Sequence, residues 1–253
     1  MGRTRKEFWP WTSKGNLYGT TTNGGTSNAG TVFELKPPSS PGGAWEFIPL
    51  YSFAGTPDGS NPYAGVTVGH RALYGTTQAG GAFGEGSVFQ LSQPAVQGGA
   101  WKETVIYSFI DLSLNADIGV SPYGGLILDA SGALYGTTFS GGDLGCECGG
   151  IFKLTPSAAG PPWTESAVYK PTQTGSGSYR SNLVFGPNGS LYGVGGNGAG
   201  APVFQLIPPA GGEGPWNLNF SVPLRNADFG GLVLDASGTL YGAATSYVFS
   251  LKP

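Results

Sequence analysis

The apolar segments of this chain are short and return on schedule. Tyr123-Gly-Gly-Leu-Ile-Leu128 is a brief apolar run bounded by Pro122 and by Asp129-Ala-Ser-Gly132, the form of a buried strand between turn signals. The turn is well chosen, since Asp can bond its own backbone two residues on and Gly accepts positive φ. Leu134-Tyr-Gly-Thr-Thr138 follows and is rich in β formers, so the two segments predict an antiparallel hairpin. Gly150-Ile-Phe-Lys-Leu154 alternates as a third strand. Trp163-Thr-Glu-Ser-Ala-Val-Tyr169 alternates as a fourth, with Glu165 and Ser166 toward solvent. No helical period competes for these segments.

The unit repeats. Leu-Tyr-Gly recurs at Leu17, Leu73, Leu134, Leu191 and Leu240, at intervals of 56, 61, 57 and 49 residues. Each copy leads through a Gly-rich run to a β-branched–Phe pair: Val32-Phe33, Val88-Phe89, Ile151-Phe152, Val203-Phe204 and Val248-Phe249. Trp45, Trp101, Trp163 and Trp216 each stand 12 or 13 residues beyond the β-branched residue. A period near 50 with four strands per unit predicts propeller blades. The expectation is an all-β fold, a five-bladed β-propeller of four-stranded antiparallel blades in one domain over 1–253. Its repeats fall at about 8–53, 62–109, 122–170, 180–222 and 229–253. The last repeat shows no fourth strand, and Arg5-Lys-Glu-Phe-Trp-Pro-Trp11 is the natural donor. Yet Phe8 to Thr12 also takes the place of Gly231 to Asp235, the first strand of a blade. One segment cannot do both, so the expectation is either that the first or last blade is a strand short, with an edge open to self-association, or that residues upstream of Met1 are missing.

Composition narrows the function classes. Gly and Pro, at 46 and 20 of 253 residues, make up about a quarter of the chain, but the glycines keep fixed offsets within each unit. Charged residues are only 11%, the net charge is −3, and the one basic run is Arg3-Thr-Arg-Lys6. A nucleic-acid partner needs a clustered basic face, which is missing here. No apolar window is long enough to span a membrane. The basic N-terminus lacks the apolar stretch of a secretory signal.

Candidate chemistry is sparse. Cys146-Glu-Cys148 sits in an expanded loop and reads as a loop disulfide, two free thiols or, least of all, a metal site, which needs about four ligands. His70, the sole histidine, stands where other repeats place a turn residue and has no nucleophile at a recognisable spacing. The first strands of the blades, which line a propeller channel, hold no Asp or Glu within Tyr63–Val68, Tyr123–Leu128, Arg180–Phe185 or Phe229–Leu234. Glycoside hydrolysis needs a carboxylate pair across the scissile bond. Glu34, Glu46, Glu103 and Glu165 fall on outer strands and read as solvated. The four repeat Trp residues read as packing between blades. No metal or cofactor is expected.

The inter-blade linkers are the best binding candidates: Asp58, Asn61 and Tyr63; Asn115, Asp117 and Tyr123; Tyr179 and Arg180; Asn226 and Asp228. Small polar residues with Tyr at repeated positions suit a carbohydrate or peptide ligand. The competing reading is that Asp, Asn, Gly and Pro are what tight connections require.

The unit as a whole, Pro-x-x-Gly-Leu through Asp-x-x-Gly-x-Leu-Tyr-Gly-Thr-Thr to Gly-x-Val-Phe-x-Leu and Trp-x5-Tyr-x-Phe, resembles the bacterial Gloeo–Verruco tandem repeat over about residues 13–253. The chain departs from it at Leu191-Tyr-Gly-Val-Gly195 and Leu240-Tyr-Gly-Ala-Ala244, where Thr-Thr is lost, and it ends at Leu251-Lys-Pro253 with no sorting tail. The resemblance implies an extracellular or cell-surface repeat protein and no particular activity. The resulting expectation is a non-enzymatic binding or scaffold module acting through one loop-rich face. A carbohydrate-active glycosidase or lyase and a purely structural surface repeat are the alternatives.

Overall fold

The computed structural model describes residues 15–96, 98–110, 119–140, 149–171, 179, 181–195, 202–212, 214–220, 231–244 and 247–252. Blade 1 is β1 (Leu17–Thr21), β2 (Thr31–Lys36) and β3 (Glu46–Ser52). Blade 2 is β4 (Thr67–Gly69), β5 (Ala72–Thr77), β6 (Ser87–Ser92) and β7 (Lys102–Ser108). Blade 3 holds β8 (Val120–Pro122), β9 (Ile127–Leu128), β10 (Leu134–Ser140), β11 (Ile151–Thr155) and β12 (Thr164–Tyr169). Blade 4 is β13 (Val184–Phe185), β14 (Leu191–Val194), β15 (Val203–Ile207) and β16 (Asn217–Phe220), with a 3-10 turn at Pro187–Gly189. Blade 5 is β17 (Leu232–Leu234), β18 (Leu240–Ala244) and β19 (Tyr247–Leu251). All strand pairings are antiparallel and, apart from β8 with β10, join sequence neighbours, and the five sheets form a five-bladed propeller. Blades 1 and 5 each contribute three strands among the described residues. The apolar run Tyr123–Leu128 is not one strand as its sequence suggests. Val120–Pro122 and Ile127–Leu128 pair with opposite ends of β10, and the Tyr123-Gly124-Gly125 segment bends between them.

The motif's residue types follow from register. In every blade the Gly of Leu-Tyr-Gly sits opposite the Phe of the next strand: Gly19 and Phe33, Gly75 and Phe89, Gly136 and Phe152, Gly193 and Phe204, Gly242 and Phe249. The tip of the ring lies over the bare backbone. A methyl group at Gly136 would come 2.5 Å from the Phe152 ring and 2.8 Å from Leu126. The two threonines that follow have separate duties. The first ties a blade to the next linker: Thr20 Oγ1 donates to the Ala64 carbonyl (2.9 Å) and Thr137 Oγ1 to that of Ser181 (3.3 Å). The second closes its own hairpin, by Thr21 to Thr31, Thr77 to Ser87 (each 2.8 Å), and the Gly150 N–H to Thr138 (2.8 Å). The Asp turn is a carboxylate cap. Asp129 Oδ1 accepts from the N–H groups of Ser131 (2.8 Å) and Ala133 (2.9 Å), and Asp235 repeats the arrangement with Ser237 and Thr239. His70 occupies this turn in blade 2, exposed, beside Arg71 at φ 55°.

The core lies between blades rather than within them. One cluster joins blades 1 and 2 through Val32, Phe53, Leu73, Phe89 and Leu91. Others join blades 2 and 3 through Val88, Phe109, Leu134 and Phe152, and blades 3 and 4 through Tyr135, Ile151, Leu191 and Phe204. A fourth joins blades 4 and 5 through Tyr192, Val203, Leu232 and Leu240. Each blade thus has a leading face of Leu and Phe against the blade before it and a trailing face of Tyr and Val against the blade after. Trp101, Trp163 and Trp216 are half-buried against these clusters, as the repeat suggested, and the Trp163 ring stands 5.9 Å from that of Tyr74; Trp45 departs from that expectation, at 47% exposed and outside every cluster.

Candidate functional site

The linkers and the Gly-rich loops occupy one end of the propeller. Asn61 N–H donates to the Ala29 carbonyl (2.8 Å), Ser60 and Ala79 exchange backbone bonds (2.8 and 3.1 Å), and Gly81 N–H donates to the Asp58 carbonyl (2.9 Å). The linker from blade 1 to blade 2 is therefore laced to the Gly-rich loops of both. Asn61 holds φ 57° and sends its side-chain amide to the Thr22 carbonyl (3.2 Å), so its polar groups serve the connection itself. Ser121 holds the matching place before blade 3, at φ 53°.

Each of these turns is followed by Pro and Tyr, and the two tyrosines meet. The Tyr63 and Tyr123 rings are stacked, 4.4 Å between centroids and 29° apart in plane, and Phe139 lies 5.6 Å beyond Tyr123. Tyr63 remains 54% exposed. A row of aromatic rings from two linkers and one Gly-rich loop thus meets solvent on the loop-rich end. Asn182, missed in the sequence because it has no counterpart in the other repeats, accepts from the Gly125 N–H (2.6 Å). A Cβ placed on Gly231 would meet its amide nitrogen at 3.6 Å. An exposed amide side chain therefore reaches toward blades 3 and 5. Tyr179 is in contrast fully buried, edge-on to Tyr169 (5.1 Å) and Phe204 (5.4 Å), and burial pushes its hydroxyl pKa up. Asn115, Asp117, Arg180, Asn226, Asp228, Cys146 and Cys148 lie outside the described residues.

Of the outer-strand glutamates Glu46 is exposed as expected, but Glu34, Glu103 and Glu165 are not simply solvated. Glu34 is buried and accepts from Asn16 (2.5 Å) and from the Tyr18 hydroxyl (2.8 Å). Glu165, on β12, accepts from the Tyr107 hydroxyl of the preceding blade (3.3 Å). Glu103 holds the same register position on β7, opposite Leu91, as Glu165 does opposite Leu154. Its expected partner, Tyr51, donates instead to Asp58 Oδ2 (3.1 Å), which also accepts from the Ala54 N–H (2.8 Å). Glu103 Oε1 and Asp58 Oδ1 are left buried with no hydrogen bond among the described residues. Burial, then the Asp58 charge, pushes the Glu103 carboxyl up to about 7, and burial raises Asp58 as well. A carboxyl pair with displaced pKa values is a form that acid–base chemistry uses.

A cavity of about 380 Å³ lies at the other end, between blades 4 and 5, lined by Asn188, Tyr192, Gln205, Ile207, Ser237 and Lys252 among others. Its Gln205 side chain is committed to the Tyr192 hydroxyl (2.7 Å). No group of three or more metal-ligating side chains occurs among the described residues, and no helix among them is long and apolar enough to cross a membrane.

The sequence profile of the Gloeobacter/Verrucomicrobia repeat matches residues 10–250. Similar solved structures include a protein from Lactobacillus plantarum at 15% identity and TM-score 0.58, aligned over 94% of this chain and 62% of that one. A protein of unknown function from Dyadobacter fermentans aligns at 14% identity and TM-score 0.53, over 90% and 70%. A gluconolactonase from Xanthomonas campestris aligns at 14% identity and TM-score 0.51, over 88% and 65%. At these identities the likeness is one of fold, and the chain spans about three-fifths of the Lactobacillus protein's length. No curated protein matches the sequence. The chain belongs to the Gloeobacter/Verrucomicrobia repeat family.

Proposed function

We propose that this member of the Gloeobacter/Verrucomicrobia repeat family is a non-enzymatic binding module that takes a glycan on its loop-rich end. The observation that carries the reading is the Tyr63–Tyr123 stack, with Tyr63 more than half exposed. A stacked aromatic surface offers apolar area and a hydroxyl together, which suits the C–H face of a sugar ring and its hydroxyls. The rings come from linkers whose backbone is tied to the Gly-rich loops and to β10, so the surface is pre-formed and binding orders little. Asn182 and the neighbouring linker carbonyls supply polar partners at its edge. An extracellular or cell-surface setting belongs to the same proposal and rests on the family resemblance.

Glycan-array screening of the folded protein, followed by calorimetric titration of the best glycan, tests it. Tyr63→Ala is expected to weaken binding at least tenfold while leaving the melting temperature within about 2 °C, since the ring is largely exposed. Unchanged affinity would remove the platform from consideration. A second reading, a carbohydrate-active enzyme, draws on the Asp58–Glu103 pair with its raised carboxyl pKa values. Turnover of an arrayed glycan that disappears in Glu103→Gln would favour that reading over simple binding.

A further inference from the structure

The cavity of about 380 Å³ between blades 4 and 5 lies where the packing of the repeat's tyrosine has been rewritten. In blade 3 the turn aspartate caps that tyrosine: the Tyr135 hydroxyl donates to Asp129 Oδ2 (3.2 Å), and the Lys153 ammonium stands 5.3 Å from the centre of its ring. Blade 4 has Gly186 in place of Asp129 and Gln205 in place of Lys153. A side chain at Gly186 would run into the Tyr192 ring. Gln205 Nε2 donates to the Tyr192 hydroxyl instead (2.7 Å), which leaves the hydroxyl proton and the amide oxygen without a partner among the described residues. Both side chains line the cavity.

Blade 5 brings a cation to the same place. Lys252 holds the repeat position of Lys36, whose ammonium lies 3.9 Å from Glu34. In blade 5 the place of Glu34 is taken by Ser250, and Lys252 has no carboxylate partner among the described residues. Asp235, in the turn that carries Ser237 and Gly238, spends its Oδ1 on the N–H groups of Ser237 and Thr239 and on the Ser237 hydroxyl. Lys252 is therefore the one charged group among the described residues of the lining, beside amides, hydroxyls and the apolar Pro187, Ile207 and Pro208.

We propose that this cavity binds a sugar acid, a single sugar unit carrying one carboxylate. The carboxylate sits against Lys252, a charge-assisted contact. The Tyr192–Gln205 pair and the Asn188 amide meet the ring hydroxyls with both donors and acceptors. The proline and isoleucine wall takes the C–H face. A volume near the lower end of small-molecule sites suits one ring. The lone cation selects an anion and the uncommitted amide and hydroxyl select a polyol, so a neutral sugar and a bare anion each satisfy only half of the site. This cavity is on the end opposite the Tyr63–Tyr123 stack and does not depend on it.

The probe is D-glucuronate, titrated against the full chain at low ionic strength by ligand-observed NMR, with glucose and acetate in parallel. Saturable binding, tighter than either control, is expected. Lys252→Gln should weaken it about three- to fivefold. Tyr192→Phe, which keeps the ring and removes the hydroxyl, should weaken it by about the same factor. Ile207→Trp fills the cavity and should abolish binding, while Tyr63→Ala, at the other end, should leave it unchanged. Glucose or acetate binding as tightly as glucuronate would overturn the proposal, and so would no binding. Loss of binding in Tyr63→Ala with Lys252→Gln unaffected would move the sugar to the loop-rich end and overturn it equally. Methyl glucuronoside separates the two sources of such a group: full affinity assigns the cavity to the end of a glycan chain, lost affinity to the free acid, and either agrees with the proposal.

Discussion

Glu103 is the side chain whose neighbourhood departs furthest from the repeat, and its behaviour can be worked out in advance. Its counterpart Glu165 receives a tyrosine hydroxyl; Glu103 loses that donor because Asp58 takes Tyr51. Glu103→Gln keeps the shape and removes the charge. The carboxyl stands near 7 in the folded chain against 4.5 when free. Below pH 4.5 both states hold the proton and nothing is lost. As pH rises from 4.5 to 7 the unfolded chain ionises first, the folded state binds the extra proton, and stability falls. Above 7 the loss is complete. That displacement corresponds to an upper limit of about 3.4 kcal/mol, and partial solvent access reduces it to about 1–2 kcal/mol. Urea denaturation of wild type and Glu103→Gln at pH 4.5, 6 and 8 reads this directly. The variant is expected to match wild type at pH 4.5 and to exceed it by about 1–2 kcal/mol at pH 8. It should keep only the shallower slope from Asp58, whose carboxyl is also raised. Asp129 and Asp235, both lowered, titrate below this window and do not confuse it. A variant less stable than wild type at pH 8, or a wild-type curve flat from 4.5 to 7, would refute the argument.

Other perturbations probe the motif. Gly136→Ala drives a methyl into the Phe152 ring and is expected to cost about 1–3 kcal/mol in chemical denaturation. Gly65→Ala, with no atom within 4 Å of the new methyl, is the control and should change little. Thr137→Val removes the donor to Ser181 and the acceptor for the Gly124 N–H inside a buried joint, for a loss of about 1–2 kcal/mol measured the same way. Asp129→Ala strips the cap from two N–H groups and the Tyr135 hydroxyl and should cost about 1 kcal/mol at neutral pH. Because that carboxyl is held below its ordinary value, its contribution is present above the free carboxylate range and lost as pH falls through the lowered value. Variant and wild type should converge in acid.

The blades were legible in the sequence because everything that defines them is local and repeated. Hairpin register and the pairing of Gly136 with Phe152 depend on spacings within a few tens of residues, and the chain writes them out five times; the Asp cap is equally local and is written at Asp129 and Asp235. The packing of Trp101, Trp163 and Trp216 was legible for the same reason, whereas the exposure of Trp45 was not. What the sequence could not show is set by contacts between repeats. Tyr63 and Tyr123 lie 60 positions apart and stack only because adjacent linkers bend alike. Tyr179 looked like a linker tyrosine until blades 3 and 4 closed over it. Glu34, Glu103 and Glu165 share one residue type on alternating outer strands and read alike as solvated. Yet Glu34 and Glu165 receive a tyrosine hydroxyl while Glu103 stands orphaned, because a linker carboxylate from the neighbouring blade competes for Tyr51. Hydrogen-bond partners and burial are assigned by whatever the fold brings within about 3 Å. Periodicity reports which way a side chain points, and only the assembled propeller decides what it meets there.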